Sequence, residues 1–138
     1  MTSGGRRLIS SGGPWERSAG YSRAVVVDDS CFVSGTTDAG PDGRSLHPDD
    51  PGAQARTALA IIERALEDAG FSLADVVRTR MFVTDIGRAD AVLAVHGQVF
   101  GTIRPAATIV EVGRLLEPTL LVEIEVDARR PRGVIERG

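Results

Sequence analysis

The chain has 138 residues, which is room for one domain with a real core. Its 42% hydrophobic content and mean hydropathy of −0.01 are those of an ordinary globular protein. A net charge of −3 argues against nucleic acid as the main partner, because phosphate binding needs a concentrated basic surface; nor does any apolar run reach membrane-spanning length.

Residues 1–13 are Ser- and Gly-rich and lack the apolar stretch of a secretion signal, so a cytoplasmic protein is expected. "RRLISSG" can form a short strand, followed by a loop, "GGPWERSAGY". "SRAVVVDDSCFVSG" reads as a hairpin: Val25, Val26 and Val27 are β-branched, Asp28-Asp29 supplies the turn, and Cys31, Phe32 and Val33 resume the strand. A long loop rich in Gly, Pro and Asp follows, "TTDAGPDGRSLHPDDPG". Asp50 as N-cap and Pro51 at the first helical position then open a helix. Its apolar stripe runs through Ala55, Leu59, Ile62, Leu66 and Ala69, and Gly70 ends it.

"DVVRTRMFVTD" is a strand, with Val77, Thr79, Met81 and Val83 on one side and Val76, Arg78, Arg80 and Phe82 on the other. A second helix is expected over 89–100, with Val92, Val95 and Val99 in register and Gly101 closing it. "AATIVEV" and "LLVEIEVDA" complete the strands. The order ββ(β)-α-β-α-β-β predicts an α+β fold of two layers, a mixed sheet with two helices on one face. Val122, Ile124 and Val126 then face the helices, which leaves Glu123, Glu125 and Asp127 on the open face, turned toward water or another subunit. One domain is expected over 1–138, with flexible ends at 1–13 and 129–138.

Cross-strand pairing with Arg78 and Arg80 accounts for Glu125 and Asp127, and on spacing alone would also serve Glu123. Tyr21, the single tyrosine, reads as a half-buried aromatic with a satisfied hydroxyl, and Trp15 as a ring docked from its loop onto the body of the protein. Cys31 is alone and reads as a small buried hydrophobe. His47 and His96 have no ligand spacing to a Cys or carboxylate, so no metal is expected, and His96 reads as a surface or core-edge residue. No Gly-rich stretch has phosphate-cradling spacing.

Four stretches, "FVSGTT", "VVRTRMFVTDI", "VHGQVFG" and "RPAATIVEVGRLLEPTLLVEIEVDA", together resemble the Rid family, the YjgF-type reactive-intermediate deaminases, over residues 22–128. The resemblance implies a chorismate-mutase-like fold and a homotrimer. Its three sheets would form a central barrel, with small-molecule ligands in clefts between subunits. It also implies hydrolysis of imines and enamines to ketones and ammonia without metal or organic cofactor. In that chemistry an Arg grips the substrate carboxylate, a Glu positions water, and a Tyr and backbone groups complete the pocket. By motif, Glu123 matches the water-positioning Glu, Tyr21 the pocket Tyr and Gly35 the backbone Gly, while Arg114 matches an Arg read as structural.

The departures lie in "PAAT". Ala107 stands where the family's deaminases carry the carboxylate-binding Arg, with Thr108 beside it. Ile109 replaces a small polar residue or Cys, and Leu93 a helix Asn. Losing a charge-assisted bidentate contact removes about 1.5–3 kcal/mol of binding. Arg104, Arg17 and Arg23 are the candidates to compensate. The expected function is therefore chemistry on a small imine or enamine, by hydrolysis or tautomerisation, other than simple 2-iminopropionate deamination. A non-catalytic trimer that binds a metabolite or docks on a partner enzyme is the alternative. The endoribonuclease label that some family members carry finds no basic catalytic cluster here.

Overall fold

In the computed structural model, residues 2–3 and 5–131 are described. The strands are β1 (Thr2–Ser3), β2 (Arg6–Ile9), β3 (Ala24–Val27), β4 (Ser30–Thr36), β5 (Val76–Val83), β6 (Ala106–Glu111) and β7 (Val122–Arg129). The helices are α1 (Pro14–Ala19), α2 (Pro51–Asp68) and α3 (Ala89–Phe100). Seven strands form one sheet in the order β1-β2-β3-β4-β7-β5-β6. All neighbours are antiparallel except β5 and β6, which α3 connects as a crossover. The expected mixed α+β sheet is therefore present.

One expectation needs correction. Residues 14–19 form α1, not a loop: Pro14 opens it and Gly20, at φ 77°, closes it with its amide on the Glu16 carbonyl. Six residues are too few for a helical stripe to register in the sequence. Residues 6–9 form the short strand expected in "RRLISSG", β2, paired along its length with β3. Of the flexible end expected over 129–138, residues 132–138 lie outside those described.

The β3–β4 hairpin turns at Asp28-Asp29 as expected, with Asp28 at φ 53°. Asp50 caps α2, its carboxylate accepting the Ala53 amide at 3.0 Å, and Gly70 follows the helix at φ 86°. Leu59, Ile62 and Leu66 of α2 and Val92 and Val95 of α3 share one core with Val33 of β4, Met81 of β5 and Val122, Ile124 and Val126 of β7. Each such side chain contributes about 1.5–3 kcal/mol on burial.

The strand alternation expected across 76–83 fails at its start. Val76 is buried and Val77 is 51% exposed, the reverse of the expected sides, because the pairing with β7 slips between Val76 and Arg78. A β-bulge puts two residues against one, and the faces exchange across it.

Gln54 is one of the fully buried polar groups. Its amide donates to the His47 and Thr119 carbonyls at 3.1 and 2.9 Å and accepts the Leu121 amide at 2.8 Å. That ties the first turn of α2 to the residues entering β7, two positions before Glu123.

Candidate functional site

Strict alternation along β7 places Glu123 on the open face, since its neighbours Val122 and Ile124 are completely buried. Phe82 of β5 lies opposite on one side. On the other side, β4 slips register between Val33 and Thr36 and brings Gly35 against the Glu123 carboxylate. A Cβ on Gly35 would overlap Oε2 of Glu123 and stand 3.0 Å from its carboxyl carbon. The glycine is thus what leaves room for the carboxylate. Burial pushes the Glu123 pKa up; the Arg23 charge opposes this, and the Glu125 charge adds to it.

Arg23 enters through the same bulge. Its Nη2 donates to the Gly35 carbonyl at 2.7 Å, and its Nε is buried with no partner among the described residues. Of the three candidate arginines, this is the one whose charge reaches Glu123. Arg17 and Arg104 are exposed, the latter at φ 56° just before Pro105.

Further along the open face, Arg80 reaches Glu125 at 3.4 Å and Asp127 at 3.5 Å, and Arg78 lies in register with Asp127. The expected charge pairing thus serves Glu125 and Asp127, while Glu123 sits apart from it.

Tyr21 follows the end of α1 and is 41% exposed; its amide donates to the Glu16 carbonyl at 2.8 Å. Glu16, which sequence reasoning passed over, anchors this turn. It is only 7% exposed, and its carboxylate accepts from the Ser10 hydroxyl and from both the amide and hydroxyl of Ser11. Burial acts to raise its pKa, but the bonds from Ser11 and Ser10 and the Arg23 charge prevail and hold it below the ordinary value.

The remaining candidates form a second group. In the parallel β5–β6 pair, Ala107 lies beside Thr79 and Ile109 beside Met81. Thr79 and Met81 are buried toward the helices, so Ala107 and Ile109 share that side. Thr108 lies beside Arg80 on the open face. Leu93, on α3, is 41% exposed. One turn further on, His96 hydrogen-bonds Thr79 Oγ1 through Nε2 at 2.8 Å and tilts against Phe100 at 4.8 Å between centroids. Desolvation lowers its pKa.

Within one chain, Ala107 and Glu123 therefore occupy opposite faces of the sheet. They are also separated by two strand spacings and about three residues of strand, roughly 10 Å in each direction.

Other residues serve the framework. Asp38, fully buried, accepts from Ser45 Oγ at 2.8 Å and the His47 amide at 3.0 Å and contacts His47 Nδ1 at 3.2 Å, clasping the long loop. Trp15 lies over that loop at Gly43 but stays 51% exposed, so its ring is docked only in part. Cys31 is buried, and burial lifts its pKa to about 11, with Arg7 opposing. Arg114 is exposed. Among the described residues no cluster of three or more His, Cys, Asp or Glu could hold a metal, and no helix is long and apolar enough to cross a membrane.

A family model described as Endoribonuclease L-PSP matches residues 15–130. The uncharacterized protein SCO2049 of Streptomyces coelicolor is 35% identical over 131 residues, 94% of this chain and 96% of that protein. Among solved structures, Rv2704 of Mycobacterium tuberculosis, a member of the YjgF/YER057c/UK114 family, is 51% identical with a TM-score of 0.82, covering 91% of this chain and 99% of that one. The YjgF gene product of E. coli is 30% identical with a TM-score of 0.73, covering 90% and 94%.

Proposed function

From the premise that the chain belongs to the L-PSP family, the YjgF/Rid group, we propose that it acts on a small imine or enamine in clefts between the subunits of a homotrimer. Assembly would bring the Glu123 side of one subunit to the Leu93–Ala107–Ile109 side of another. Water adds to the C=N carbon, Glu123 takes the proton that water gives up, and the nitrogen gains one. The resulting carbinolamine then collapses to a ketone and ammonia. Tyr21 and the Gly35 backbone line the Glu123 side. The methyl and alkyl groups of the other side favour substrates without an α-carboxylate.

One observation carries this reading: a carboxylate set apart from the charge pairs of its own strand, held against Gly35, with its pKa raised toward the range of a useful base. The test is ammonia release from freshly generated neutral imines. Glu123→Gln should lower kcat by about 10²–10⁴-fold. Equal rates for both proteins would sink the reading. A ketone that raises Tm, with no imine ever consumed, would instead favour the non-catalytic binder.

Arg23 favours a second reading. A guanidinium on the Gly35 carbonyl, close enough to act on Glu123, can receive the carboxylate of a 2-imino acid. Acceleration of 2-iminopropionate hydrolysis that disappears in Arg23→Gln would establish it, and no acceleration over buffer eliminates it.

A further inference from the structure

His96 takes no part in the proposed chemistry, yet the fold bonds it to Thr79, the strand partner of Ala107. Thr79 and Ala107 are register partners on adjacent strands, about 5 Å apart, with side chains on the same face. The His96 ring touches Thr79 Oγ1 at 2.8 Å, which places it one register partner away from Ala107. Leu93 precedes it by one turn on the same helix face. Phe100 braces the ring from behind at 4.8 Å. Thr79 occupies Nε2, while Nδ1 has no hydrogen-bond partner among the described residues. One imidazole, packed against Phe100 and bonded to Thr79, thus keeps a ring nitrogen to spare on the side of the sheet that Ala107 shares.

We propose that His96 is the polar recognition group of this half of the cleft, and that it selects an uncharged ketone-derived imine or enamine by one hydrogen bond and contact with its ring. This rests on the proposed inter-subunit cleft and names the substrate class for it. Desolvation favours the neutral imidazole, so the His96 ring itself offers a carboxylate no cation. A neutral ring that can donate or accept through one nitrogen suits a C=N–H, an enamine N–H or the product C=O. His96 acts here as a specificity-determining residue; the proton from water still goes to Glu123.

The chain has two histidines, so its imidazole NMR spectrum holds two sets of signals, which His47→Gln assigns. The probes are cyclohexanone, a neutral ketone, and pyruvate, a small ketone that carries an α-carboxylate. Cyclohexanone should shift the His96 signals saturably and pyruvate should not. His96→Phe should weaken cyclohexanone binding about fivefold or more, and His96→Gln, which keeps a polar head, should recover part of it. Unmoved His96 signals, or equal shifts with pyruvate, overturn the proposal. The wild-type spectrum decides the matter even if a variant fails to fold. Glu123→Gln should leave the His96 response intact. Glu123-independent turnover together with a His96 shift therefore counts against the catalytic reading alone. Glu123-dependent turnover with silent His96 signals counts against the His96 proposal alone.

Discussion

Gly35 has no side chain to set between the β4 backbone and the Glu123 carboxylate. A methyl group there would meet the far end of a flexible side chain, which can swing away more easily than the backbone can move. Gly35→Ala should therefore leave the fold stable but displace the carboxylate. The expected outcome is kcat on neutral imines lowered by about 10²-fold, with urea stability nearly unchanged. Arg23 acts on the same carboxylate through charge. Burial raises the Glu123 pKa and Arg23 holds it partly down, so removing the cation should raise it further. The base works only when ionised, and activity must fall as pH drops through its pKa. In Arg23→Gln the acid limb of the kcat/KM profile should therefore move to higher pH. A limb that stays in place or moves down would show that the charge does not act there.

At the scale of elements, Gln54 joins α2 to the segment entering β7 through three hydrogen bonds. Gln54→Leu keeps the volume but leaves buried backbone groups unpaired, which costs about 1–3 kcal/mol. The urea midpoint should fall with the slope unchanged, and kcat should fall as well because Glu123 lies two residues beyond the tie. Elements with long periodic stretches could be read from the chain. The caps and stripe of α2, the span of α3, and the alternation that turns Glu123 outward from Val122 and Ile124 are all local signals. Those that escaped depend on partners. The six-residue α1 is held by Pro14, Gly20 and the Ser10–Ser11 clasp on Glu16. The Val76–Val77 exchange follows from pairing with β7. The Arg23–Gly35 bond depends on a bulge that no single strand encodes. His96 could have been noticed from its place one turn after Leu93, but its partner Thr79 lies 17 residues away, on another strand.

Across the whole molecule, α2 and α3 bury most of one side of the sheet, while the other side keeps Phe32 and Val110 substantially exposed among charged neighbours. Apolar groups left open on a sheet face fit coverage by further copies of the chain, as the proposed trimer requires. The separation of Ala107 from Glu123 onto opposite faces follows from register alone, since Ala107 pairs with Thr79 and Glu123 with Phe82. Neither residue can complete a catalytic centre with the other in its own chain.

That separation makes the two defects complementable. Glu123→Gln spoils one contribution, and Ala107→Trp, by filling its space, spoils the other. Each homotrimer should be inert. Co-refolded in equal amounts, however, the two defective chains should regain about a quarter of wild-type turnover, because random neighbours then pair two sound faces at one cleft in four. A mixture as silent as its parents would mean that the halves never meet across a subunit boundary.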